Sequence, residues 1–140
     1  MSDMHKGELD TPKTSAVLLS CFPQSVRQAR AIARGQFAKY SERVTYTVEQ
    51  CVSELVTNSI VHSDSQFKSG FVSLYLQEYH DRIRVSVFDG GSTEKAPEIA
   101  AYDEFATSGR GLVLVESLAD AWGTSCDGRG RQVWFEVNTS

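Results

Sequence analysis

The sequence predicts an α+β fold: a two-layer sandwich in which three helices cover one face of a mixed, mostly antiparallel sheet of about five strands. Three observations lead there. The periodic segments run in the order β, α, α, β, β, α, β, β. Two pairs of strands lie close enough in sequence to be hairpins, and the helical stretches gather their apolar residues on one arc. With 140 residues, 41% of them hydrophobic and 23% charged, the chain has the composition of one globular domain with a sizeable core.

Residues 1–14, "MSDMHKGELDTPKT", are expected to be a flexible tail ahead of a single domain at 15–140. No stretch approaches ~18 continuous apolar residues, so neither export nor a membrane span is indicated. "SAVLLSCF" alternates Ala16, Leu18, Ser20 and Phe22 against Val17, Leu19 and Cys21, which suits a strand buried on both faces. Pro23 then opens a helix over 24–40, in which Val26, Ala29, Ala33, Phe37 and Tyr40 recur at helical spacing.

A second helix from Thr45 to about Ser63 is marked by Val48, Cys51, Val52, Leu55 and Ser59. The runs Val72, Leu74, Leu76 and Ile83, Val85, Val87, separated by the polar "EYHDR", predict a hairpin ending at Asp89, Gly90 and Gly91. The Ala-rich stretch at 92–107 is long for a plain connection and reads as a lid or mobile loop. "SGRGLVLVESLADAW" sets Leu112, Val115, Leu118, Ala119 and Trp122 on one helical face behind a glycine pair. The last hairpin, "TSCDGRGRQVWFEV", alternates Val133, Phe135 and Val137 against Gln132, Trp134 and Glu136.

The net charge of −4 and a pI near 5.3 exclude a dedicated binder of nucleic acid or anionic membrane, which needs clustered Lys and Arg. Cys21, Cys51 and Cys126 are odd in number and form no CxxC pair, the usage of reduced thiols in a cytoplasmic protein.

Three features carry chemistry. In "SELVTNSIVH", Glu54 and Asn58 stand one helical turn apart on a stripe beside the apolar arc. A carboxylate there either faces solvent on a plain helix flank or belongs to a cleft that uses it, since burial without a partner costs several kcal/mol. Asp89 ends a strand before two glycines, where a carboxylate can accept from an exocyclic amine, although "DGG" is also simply a turn. "TSGRGL" opens a helix with a glycine pair, and helix-terminal N–H groups suit phosphate as well as ordinary capping. Together they sketch a nucleotide site: Asp89 for the base, the turn from Ser108 to Leu112 for phosphates, Asn58 for a hard cation, and Glu54 for the reacting hydroxyl or water.

In this order the motifs resemble those of the ATPase superfamily shared by DNA gyrase, heat-shock chaperones, histidine kinases and MutL. "CVSELVTNSIVHS" resembles the N-box, "VSVFDGG" the first glycine box and "TSGRGLVLVESLADAWG" the second. The pattern is most similar to bacterial anti-sigma-factor serine kinases, whose N-box also carries Glu four residues before Asn. The resemblance spans about Ser15 to Val137. It implies a Bergerat-type fold, ATP and Mg²⁺ as cofactors, a sigma factor and its anti-sigma antagonist as protein partners, and a homodimer.

Carried over by position, Glu54 is the general base, Asn58 the Mg²⁺ ligand and Asp89 the adenine acceptor, with Gly91, Gly109 and Gly111 as backbone contacts. Ser108 and Leu112 complete the phosphate turn; Arg110 reaches a phosphate or points to a protein partner. Two departures stand out. Thr93 replaces a usual glycine, and Gln132 stands where relatives often carry a Thr that helps hold adenine. Only Lys95 and Arg110 are basic between Asp89 and Leu114. His62 reads as a structural histidine, and Trp122 and Trp134 as core or partner surface. The resemblance implies a serine/threonine kinase; the departures keep open a non-catalytic binding module of the same fold, and the catalytic half of a split histidine kinase is the weakest alternative.

Overall fold

A computed structural model describes residues 11–62, 71–89, 110–127 and 130–140. The elements are β1 (Lys13–Ser20), α1 (Gln24–Gln36), α2 (Glu42–His62), β2 (Phe71–Glu78), β3 (Arg82–Asp89), α3 (Arg110–Leu118), β4 (Ala121–Asp127) and β5 (Gly130–Asn138). The strands form one five-stranded sheet in the order β1-β2-β3-β5-β4. All four pairings among the described residues are antiparallel, so the architecture is the α+β sandwich expected, with no parallel pair.

The helices cover the face onto which Leu19, Leu74, Leu76, Ile83, Val85, Val87, Phe135 and Val137 point, all of them buried. Against these pack Ala29 and Ala33 of α1, Val48, Val52, Leu55 and Val56 of α2, and Val115 of α3. Phe135 lies at the centre of the face with no exposed surface. Truncating Phe135 to Ala is expected to lower stability by roughly 3–5 kcal/mol in urea unfolding, because the cavity left by the ring closes only partly. A loss below about 1 kcal/mol would show that the core around it can collapse.

Several boundaries differ from the sequence expectation; the last helix, expected to carry Trp122, stops at Leu118, and Trp122 falls in β4. The sheet already begins at Lys13, inside the expected tail, since Lys13 pairs with Glu78. β1 is an edge strand with one open face, not a strand buried on both: Leu19 is buried while Leu18 is 63% exposed. α2 starts at Glu42 because Ser41 caps it, its Oγ accepting from the Val44 N–H at 3.3 Å. α1 ends at Gln36, and the following turn delivers Phe37 and Tyr40 to the core as a tilted ring pair 6.2 Å apart.

The other sheet face stays open to solvent and is dressed with cross-strand polar pairs. Arg84 donates to Glu136 at 3.0 Å and lies 4.0 Å over the Trp134 ring, which places Trp134 on this face and outside the core. Such half-exposed pairs contribute only about 0–1 kcal/mol each, so the apolar face, not this one, holds the sheet together. Among the described residues no helix is long and apolar enough to cross a membrane.

Candidate functional site

Strand alternation sends Asp89 inward behind Ile83, Val85 and Val87, so a carboxylate ends an otherwise apolar row. It is 3% exposed. The register aligns Leu19, Val72, Asp89, Arg131 and Cys126 as one line of residues across the sheet. Arg131 Nε lies 3.4 Å from Asp89 Oδ2, and the two side chains are only 12% and 4% exposed. A carboxylate this deep needs such compensation, because desolvating a lone charge costs several kcal/mol. The field of Asp89 also reaches the buried Cys21 just beyond β1, whose thiol is pushed up first by burial and then by the Asp89 charge.

The same register corrects the expectation for Gln132. It pairs with Phe88, not with Asp89, and so lies toward the open face of the sheet. A side chain on that face is separated from Asp89 by the backbone layer. Arg131, which the sequence reading passed over, holds the position facing Asp89. The signal was present: if Val133, Phe135 and Val137 point inward, period two sends Arg131 inward and Gln132 outward.

On α2, the buried arc expected from Val48, Cys51, Val52, Leu55 and Ser59 is present, and Asn58 joins it at 6% exposure. The Asn58 Nδ2 and Ser59 Oγ atoms are buried and have no hydrogen-bond partner among the described residues. An amide donor left in that state costs about 1–3 kcal/mol. Glu54, one turn earlier, is half-buried. Its charge is felt by Cys51, whose thiol is pushed up to about 12, first by burial and second by Glu54. Glu54 and Asn58, at i and i+4, stand on the same flank of α2 beside the apolar core.

α2 connects the parts of the site. It packs on β3, which ends in Asp89, and on α3, which begins at Arg110. The first N–H groups of α3 have no partner within the helix. Leu112, in its first turn, is half-buried against the core. Gly91, Thr93, Lys95, Ser108, Gly109 and the stretch 92–107 lie outside the described residues, as do the side chains of His62 and Arg110; Gly111 is described only as backbone within α3.

Comparison with known proteins gives the class. Residues 20–137 match the family described as Histidine kinase-like ATPase domain. The chain is 30% identical over 105 residues to the serine-protein kinase RsbW of Bacillus subtilis (strain 168), covering 64% of this chain and 66% of that protein. It is 27% identical over 109 residues to the anti-sigma F factor of Clostridium beijerinckii, covering 69% of this chain and 76% of that protein. A crystal structure of RsbU and RsbW domains from Mycobacterium tuberculosis superposes with a TM-score of 0.66 at 15% identity, over 89% of this chain and 31% of that one, which is a likeness of fold.

The fold is thus the two-layer α+β sandwich of the histidine-kinase-like ATPases, with an acid–amide pair on its central helix and a buried acid at a strand end. The chain belongs to the Histidine kinase-like ATPase domain family.

Proposed function

We propose that this protein binds Mg-ATP between α2 and the end of β3 and phosphorylates a serine or threonine of an anti-sigma antagonist, while also binding the sigma factor. The observation that carries the proposal is the pairing on α2 of a half-buried acid, Glu54, with a buried amide, Asn58, whose Nδ2 meets no acceptor among the described residues. A site that only bound nucleotide would have no need of the acid. The relatives named as a serine-protein kinase and an anti-sigma factor support the same assignment.

The residues fit the cofactors. Among the described residues no cluster of three or more His, Cys, Asp or Glu could hold a metal alone. Mg²⁺ takes few protein ligands and completes its shell from phosphates and water, so the Asn58 oxygen suffices as the protein's share. The bound nucleotide would supply the transferable phosphoryl group. What the chain does is hold the base through Asp89, orient the metal side through Asn58, offer the start of α3 to the phosphates, and accept the serine proton at a Glu54 carboxylate oxygen. The likeness extends the proposal to a cytoplasmic homodimer.

Calorimetry of the full chain should show Mg-ATP binding, and labelled ATP with a cognate antagonist should give phosphoserine or phosphothreonine. No binding at millimolar ATP overturns the proposal. One observation favours a nucleotide-independent regulatory module instead: Asp89 is already engaged by Arg131. Tight partner binding without ATP affinity would establish that alternative.

A further inference from the structure

We propose that Arg131 is a positioning residue for nucleotide recognition: it holds the Asp89 carboxylate charged and in place as the acceptor for the amine of the base. This deepens the function proposed above and rests on it. The geometry is specific to the two strands. Asp89 and Arg131 are direct cross-strand partners, both turned toward the helices, with Arg131 Nε 3.4 Å from Asp89 Oδ2 and only 12% and 4% of the side chains exposed.

The described surroundings of Asp89 are mostly apolar or of like sign. On its other side Asp89 faces Val72 of β2, and along its own strand the inward neighbours are Val87, Val85 and Ile83. From beyond β1 comes the Cys21 thiol, neutral and itself disfavoured as a thiolate by burial and by Asp89. α2, packed on β3, carries in its C-terminal half Glu54, of the same sign as Asp89, and the titratable His62. On β4 the register aligns Cys126 with Arg131. Among these described groups, none brings Asp89 the fixed positive charge that Arg131 does.

A buried carboxyl that loses its counter-charge takes up a proton well above the ordinary carboxylate range. Once protonated it becomes a donor at one oxygen and a poor acceptor for an amine that also donates. Arg131 thus acts on the base through Asp89, by keeping its acceptor state available. Arginine suits the role because its guanidinium stays charged at any working pH and lies beside one carboxylate oxygen as an ion pair.

The test compares the full-length parent with Arg131→Met, Arg131→Lys and the double variant Asp89→Asn/Arg131→Met, after thermal melts confirm folding. Mg-ATP affinity is measured by calorimetry at pH 8 and pH 6 and taken relative to the parent at each pH. Arg131→Met is expected to lose affinity by roughly a further tenfold on going from pH 8 to pH 6, as Asp89 protonates. Arg131→Lys should restore most of the pH independence. The double variant, with no carboxylate left to titrate, should bind weakly but without the slope.

A second readout needs no nucleotide: the carbon-13 shift of the Asp89 carboxyl, followed against pH, should titrate higher in Arg131→Met than in the parent. An unchanged titration, a Met variant that tracks the parent at both pH values, or one that binds more tightly overturns the proposal, the last by showing that Arg131 competes with the base. If the parent binds no ATP, the proposed function fails and the role of Arg131 toward the base fails with it; the carboxyl titration then still decides whether Arg131 holds the Asp89 charge. Should Arg131→Met not fold, the Lys and double variants carry the same comparison, since neither leaves a buried charge unpaired.

Discussion

Asn58→Ala is expected to reduce Mg-ATP affinity about 100-fold or more, equivalent to roughly 2.7 kcal/mol, while leaving the protein folded and no less stable. The two halves of that expectation come from one observation. Asn58 is 6% exposed and its Nδ2 finds no acceptor among the described residues, so in the absence of ligand the amide is a cost to the fold. Removing it relieves a desolvation penalty of about 1–3 kcal/mol, less whatever packing the shorter side chain gives up. A residue kept only for stability would behave in the opposite way. Calorimetry and chemical denaturation on the same sample separate the outcomes: unchanged ATP affinity removes Asn58 from the metal site, and a large loss of stability makes it a structural amide. Asn58→Asp adds a check, since it keeps an oxygen ligand but buries a charge; it should destabilise the protein alone and regain stability with Mg-ATP.

Much of this was legible in the chain because it depends on period. Strands whose apolar residues alternate, and helices whose apolar residues fall on one arc, announce which face they bury, and the order of elements with two hairpins leaves few ways to assemble a sheet. The acid–amide pair on α2 could be found for the same reason: at i and i+4 it shares a flank, whatever the rest of the molecule does. Features that failed to show were those fixed by neighbours. Whether "SAVLLSCF" is central or at an edge depends on strand order, and no local pattern in Leu18 or Leu19 reveals that β1 pairs on one side only. The start of α2 was readable, since Ser41 followed by Glu42 is an N-cap signal, but the apolar arc begins later and drew the boundary inward.

Gln132 illustrates a different kind of miss. The likeness to relatives aligned Gln132 with a Thr that serves the adenine site, while the alternation of Val133, Phe135 and Val137 in the same hairpin had already sent Gln132 outward. Where family likeness and local periodicity disagree about the direction of a side chain, backbone geometry decides, because a one-residue change of register exchanges the two faces of a strand. Here it exchanges a neutral amide for a guanidinium beside Asp89, which changes the electrostatics expected at the base. The glycine boxes were legible as motifs, but Gly90, Gly91 and Gly109 lie outside the described residues, so the second helix, the end of β3 and the start of α3 bear the weight of the site.

Glu54→Gln should separate chemistry from binding. The change keeps the shape and the hydrogen-bonding capacity of the side chain while removing its ability to take a proton. If Glu54 is the base, phosphotransfer to a serine or threonine substrate is expected to fall by roughly 10²–10⁴-fold with ATP affinity changed little. Glu54 suits this because it is half-buried: enough exposed to meet an incoming hydroxyl, enough shielded that its charge is not fully screened. Its position has an internal reporter that requires no partner protein. The Cys51 thiol, pushed up to about 12 mainly by burial and secondly by the Glu54 charge, should titrate lower in Glu54→Gln, though still above an ordinary cysteine because the burial remains. For such a thiol, whose folded-state value exceeds the unfolded one, the associated stability is present below the unfolded value and is lost as pH rises toward the folded one, so the variant, with a lower folded value and the same unfolded one, should lose less stability over that range. A lowered thiol titration with undiminished phosphotransfer would leave Glu54 where the structure places it and take the base away from it; loss of transfer together with loss of ATP binding would make it a binding residue instead.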